Sequence, residues 1–346
     1  MILRPKSSLH HHGTLHDTMT AAPVSAVPGW LRRAIPDAQS PVAQGFAPDA
    51  PENVAIIAGA AIGALDAVVR AQERWAGTWR QRLALAAAAV TVKQAGRIED
   101  ESALRDAVLL TRPGDFLSVG PAGLLLLAWR RLATRPAMDL LTEKSLGAVL
   151  EEFGYARDDE AVSDLRDELR QFGASAGTVE VLTGAFMAAE RHGFGRIVGA
   201  WLADALLAQR LGWAHAVPLL GAEAVLAVNL EGSRRAATVI AAPGIEAASG
   251  RAKRLLAAQA RAALRAIDLS ADLERRADRL LAAAPKLRAK AAEAVVEKLL
   301  SDDAIVASEK VAGMSDRGLR RLFDRLVELG AVRELSGRTT FRIYGL

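Results

Sequence analysis

Apolar positions recur at helical spacing through most of the chain. From Glu52 to Thr134, "AIIAGAAIGALDAVV" and "WAGTWRQRLALAAAAVTVKQAG" carry small and aliphatic residues three and four apart, with Trp75 and Trp79 one turn apart on one face. This spacing predicts closely packed helices with both tryptophans in the core. Helical periodicity resumes in "TVEVLTGAFMAAERHGFGRIVGAWLADALLAQRLGW", and the acid-rich stretch after Pro136 predicts a seam within 136–172. "APGIEAASG", after an apolar stretch ending near Asn229, reads as a loop. The pattern therefore predicts an all-helical body over 51–250 and a basic helical connector over 251–285.

The period changes near the end of the chain. A helix from Lys286 to Leu300 turns Ala291, Val295, Leu299 and Leu300 inward, and "DAIVAS" reads as an extended link. Ser308 is placed to cap a short helix, "EKVAG", and Ser315 to cap the next one. That next helix is two-faced. Leu319, Leu322, Phe323, Leu326, Val327 and Leu329 fall on one side, with Arg317, Arg320, Arg321, Asp324, Arg325 and Glu328 on the other. Gly330 ends it where a left-handed cap is expected. Alternation then predicts two strands, with Val332, Leu335, Phe341 and Ile343 inward and Arg342 and Tyr344 outward, joined through Ser336, Gly337 and Arg338. The fold class expected is mostly α: a multi-helix body plus a winged helix-turn-helix over 286–346 with a two-stranded wing.

Composition narrows this picture. A hydrophobic content of 51% over 346 residues supports sizeable cores, and 5% aromatics with abundant Ala favour packed helices over sheet sandwiches. Pro23, Pro28, Pro36, Pro41 and Pro48 predict a disordered arm over 1–50, within which "LHHHGTLH" reads as a polar tract and Met19 is an alternative start to Met1. With no cysteine there is no disulfide and no thiolate metal site, so the expected compartment is the cytoplasm. "VAIIAGAAIGAL" meets Asp66 and "GLLLLAW" meets Arg130 and Arg131, so no membrane span is expected. The formal net charge is only +4, but residues 251–290 hold eleven Lys/Arg against four acids.

Motifs for catalysis are weak. "GASAG" (Gly173–Gly177) matches a nucleophile elbow, but a helix-forming "LRDELRQF" stands where a strand is required, so Ser175 is expected to be a loop or cap serine. "GFGRIVG" misses the dinucleotide-binding spacing and has no strand before it. The crowded charges from Arg97 to Asp115 read as an ionic network tying helix ends together. No cofactor and no metal is expected.

"MSDRGLRRLFDRLVELGAVRELSGRTTFRIYGL" resembles the winged helix that follows the catalytic domain of many Fic proteins. "WAGTWRQRLALAAAAV", "GRIEDESALRDAVLLTRPGD" and "LADALLAQRLGWAHAVPLL" resemble a bacterial family of unknown function, the one numbered 1403, over most of residues 50–346. That resemblance implies a helical body with this tail and supplies no activity. "HGFGRIVGAWL" echoes the Fic loop at His192, Phe194, Gly195 and Arg196 but lacks its acidic residue, its Asn and its second Arg. The leading expectation is DNA binding through Ser315, Arg317, Arg320, Arg321, Arg325, Arg338 and Arg342, with the body free to homodimerise. The alternatives are a degenerate Fic-like nucleotide-handling enzyme and a protein-interaction scaffold.

Overall fold

A computed structural model describes residues 27–35, 51–112, 115–175, 177–223, 245–287, 291–338 and 340–346. The helices of the body are α1 (Gly29–Ala34), α2 (Pro51–Ala71), α3 (Ala76–Gln94), α4 (Glu101–Leu109), α5 (Phe116–Thr134), α6 (Glu143–Glu152), α7 (Asp159–Ser175), α8 (Thr178–Arg191), α9 (Arg196–Leu211) and α10 (Ile245–Ala283). The tail adds α11 (Ala292–Ser301), β1 (Ile305–Val306), α12 (Asp316–Glu328), β2 (Arg333–Glu334) and β3 (Ile343–Gly345). The described residues are mostly helical, with one small antiparallel sheet of order β1–β3–β2.

Small side chains set the packing. α3 is rich in alanine, and Ala84, Ala87 and Ala88 are fully buried where it meets α5 and the short turn at Leu220–Ala222. Gly221 lies so close to Trp129 and Ala87 that a methyl group there would overlap both. Trp75 and Trp79 are buried as expected, and the Trp79 indole N–H donates to the Ala266 carbonyl of α10 at 2.8 Å. α5 is two helical pieces joined at Gly120, whose φ of 71° is open to glycine, with Pro121 starting the second piece.

Several expectations change here. Of the 1–50 arm, residues 27–35 hold a helix whose Leu31 is fully buried, while the histidine tract and Met19 lie outside the described residues. The apolar stretch ending near Asn229 lies outside them from residue 224 onward, and the loop expected through Gly250 is helical from Ile245 onward. The basic connector is all but the first turns of α10, a 39-residue helix packed along α2 and against α8 and α3, and runs into the short turn after it. Its charge is largely spent on neighbours: Arg251 pairs with Glu190 at 2.9 Å, Arg261 with buried Glu223 at 3.3 Å, and Arg275 and Arg276 with Asp272.

α2 also departs from expectation. By length and composition, residues 53–71 are apolar enough to cross a membrane, Asp66 notwithstanding. Asp66 is neutralised locally, because Arg70 pairs with it at 2.7 Å and the Trp213 indole donates to it at 2.7 Å. Val54, Ala58, Ala61 and Leu65 form the buried stripe of this helix.

Candidate nucleic-acid interface and the joint behind it

α12 forms where the two-faced pattern predicts it. The Ser315 hydroxyl accepts from the Gly318 N–H at 3.2 Å, so Ser315 is the amino-terminal cap of the helix. Leu319, Leu322, Phe323 and Leu326 are buried, and Gly330, with φ of 64°, closes the helix as the Ala331 N–H returns to the Leu326 carbonyl at 2.9 Å. Arg317, Arg320, Arg321 and Arg325 all face solvent. They divide into two groups. Arg325 pairs with Glu328 at 3.0 Å in the last turn, whereas Arg317, Arg320 and Arg321 have no ion-pair partner among the described residues.

Around this helix the tail differs from expectation. The short helix placed over Glu309–Gly313 is absent, and residues 307–314 run as turns, with Glu309 N–H bonded to Val306 and Met314 N–H to Val311. Ser308 therefore caps no helix. The physical reason is that Ile305 and Val306 are committed to β1, paired with Tyr344 and Ile343, which leaves too few residues for a helical ladder before Gly313 at φ 79°. The sheet has three strands, since the "DAIVAS" link supplies β1. β3 is its central strand and is buried along its whole length. Hence the expected alternation fails. Tyr344 is 2% exposed and stacks on Phe323 at 4.3 Å between ring centres, while Phe341 is 67% exposed at a φ of 53°. Val327, expected inward, is also exposed.

The wing arginines separate as well. Arg342 is exposed beside Asp324 at 3.7 Å, near α12. Arg338 turns the other way and pairs with Asp106 of α4. Of the seven expected contact residues, four arginines thus share one helix, Arg342 stands beside them, Ser315 caps the helix, and Arg338 is held by the body.

Behind the sheet lies a joint that sequence reading missed. Asp303, just after α11, is fully buried and faces three arginines from three helices of the body. Arg82 of α3 pairs with it, Arg105 of α4 donates through Nε at 2.7 Å, and Nη2 of Arg130 on α5 stands 3.8 Å away. Burial alone would push this carboxyl up, but Arg82, Arg105 and Arg130 outweigh burial and hold it below its usual range. The surrounding backbone is equally engaged. Thr78 Oγ1 donates toward the Leu299 and Asp302 carbonyls at 3.0 and 2.9 Å, Gln81 reaches the Ser301 carbonyl at 3.1 Å, and Arg82 reaches the Leu346 oxygen at 3.0 Å. At Gly77 a methyl group would sit 2.4 Å from the Ser301 oxygen, so glycine admits the tail to α3. The charged cluster of residues 97–115 has a matching split: Asp100 and Asp115 cap α4 and α5, while Arg105 and Asp106 reach the tail.

The other candidates have quieter surroundings. His192 ends α8, with Nε2 3.0 Å from Glu168 Oε2, and the Gly195 N–H of the adjoining loop is occupied by the Tyr155 hydroxyl at 2.6 Å. Ser175 is the last residue of α7, so helix stands where a nucleophile elbow needs a strand. No group of His, Asp and Glu among the described residues is arranged to hold a metal. Asp204 of α9 is a second fully buried carboxyl, and with no cation beside it among the described residues burial pushes it up to about 8 despite hydrogen bonds from the Leu219 and Leu220 N–H groups.

Residues 16–346 match the family described as Protein of unknown function (DUF1403). No curated protein and no solved structure matches the chain.

Proposed function

The chain belongs to the DUF1403 family, and from that premise we propose that it binds double-stranded DNA through a winged-helix tail. The observation that carries this reading is the run of solvent-facing arginines without ion-pair partners among the described residues, Arg317, Arg320 and Arg321, in the amino-terminal half of α12. Recognition helices place their amino-terminal residues against base edges in the major groove, and arginine there serves both bases and phosphates. The order α11–β1–α12–β2–β3, with β3 between β1 and β2, supports the winged-helix reading, the usual middle helix being replaced by the turns of 307–314.

The two halves of α12 have different tasks. Asp324 and Glu328 neutralise its carboxyl-terminal half through Arg342 and Arg325, which leaves the positive field concentrated near Ser315. Arg342 stands at the rim for a phosphate contact, and Arg338 is reserved for the body. Regulation of transcription or shaping of DNA follows as the biological role, with the body holding the tail at a fixed angle. The test is a gel mobility shift of mixed-sequence duplex by the full chain: Arg320→Glu with Arg321→Glu abolishes the shifted band, and an undiminished band in that variant refutes the reading.

A further inference from the structure

We propose that Arg82, Arg105 and Arg130 form, beside Asp303, a binding site for a small tetrahedral oxyanion of the phosphate class at the joint between body and tail. Three guanidinium groups converge there on a single buried carboxylate. The other acids nearby give Arg130 no hydrogen bond at Nε or Nη2, Asp302 acting on it only through space. Asp302 is engaged by Gln81 at 3.1 Å and Lys298 at 3.3 Å, Asp272 by Arg275 and Arg276, and Glu101 approaches only Arg105, at 3.9 Å from the solvent side. The Leu346 oxygen takes Arg82 and Arg276.

Arg130 is the group left over. Its Nε and Nη2 are wholly buried and have no hydrogen-bond acceptor among the described residues, and the closest carboxylate oxygen there is at 3.8 Å. A buried guanidinium edge with two free donors is costly, and two adjacent N–H groups are the geometry that grips two oxygens of one oxyanion. Burial already draws the Arg130 guanidinium below its ordinary range. A water molecule would satisfy the donors but not the charge. An oxyanion satisfies both. Arg82, Arg105 and Arg130 keep 14%, 10% and 13% of their side-chain surface open, so the cluster touches solvent at its rim and is too enclosed for a duplex.

The experiment is equilibrium dialysis of the full chain against labelled inorganic phosphate at fixed chloride, paired with thermal melting. The wild-type chain is expected to bind phosphate and melt at higher temperature as phosphate rises. Arg130→Gln, which keeps a polar amide and removes the charge, is expected to fold, to weaken phosphate binding about tenfold or more through the lost charge-assisted bonds, and to melt independently of phosphate. Arg130→Lys is the second variant, keeping the charge but losing the two-pronged grip, and its binding is expected to fall between the two. Absence of phosphate binding by the wild-type chain, equal binding by Arg130→Gln, or an equal rise in melting temperature with chloride at matched ionic strength overturns the proposal.

Discussion

Two groups of arginines in this chain have opposite fates. At the joint, Arg82, Arg105 and Arg130 are buried around Asp303. On α12, Arg317, Arg320 and Arg321 stand in water with no partner among the described residues. The difference teaches that residue type says little about a cation's task until its acid is located. Eleven basic residues over 251–290 look like a surface for polyanions, yet Arg251, Arg261, Arg275 and Arg276 pair with acids of the body or of their own helix. On the tail, Arg317, Arg320 and Arg321 have no such acid among the described residues.

If that division holds, substitutions on the two sides fall on different observables. The largest effect is expected at the joint: Asp303→Ala leaves three buried guanidinium groups without their shared carboxylate and costs about 3–5 kcal/mol in urea denaturation. Because the folded-state pKa of Asp303 is depressed, its contribution is complete above the unfolded value of roughly 4 and is lost as pH falls through the folded value.

Asp204 sharpens the contrast, being an equally buried carboxyl with no cation beside it among the described residues. Its folded-state pKa is raised to about 8, so its contribution is complete below roughly pH 4 and is lost as pH rises toward 8. Asp204→Asn keeps an oxygen for the Leu219 and Leu220 N–H groups, and is expected to remove a stability slope of about 1.4 kcal/mol per pH unit between pH 5 and 7. Gly77→Ala, which drives a methyl group into the Ser301 oxygen, should cost about 1–3 kcal/mol and speed proteolysis near residues 301–314 of the full chain. Arg338→Ala removes a part-exposed ion pair with Asp106 and is expected to lower stability by less than about 1 kcal/mol in the same denaturation assay. The smallest change in stability, within about 0.5 kcal/mol, belongs to Arg320→Glu with Arg321→Glu, since neither side chain supports the fold.

The contrast also explains what could be read from the chain. α12 was legible because its signals are local: Ser315 at the cap, leucines at helical spacing, and a glycine whose φ of 64° ends it. The sheet was not. Whether Tyr344 faces in depends on β1 pairing on the far side of β3, and nothing within the "TTFRIYG" stretch states that a third strand arrives from Ile305. Asp303 was hidden for the same reason, its partners lying at 82, 105 and 130, roughly 170 to 220 residues earlier. Charged clusters within one segment tempt a local explanation, and here Arg105 and Asp106 of the 97–115 cluster answer to the tail instead.

The central claim is that the exposed arginines of α12 meet DNA phosphates and bases, and salt dependence tests it most directly. Fluorescence anisotropy of a labelled duplex titrated with the full chain at several salt concentrations is expected to give a linear fall of log affinity with log salt. Replacing Arg317, Arg320 and Arg321 with Gln is expected to lower that slope by about 1 for each arginine that contacts a phosphate. An affinity that is indifferent to salt, or a slope and affinity unchanged in the triple variant, would contradict the account.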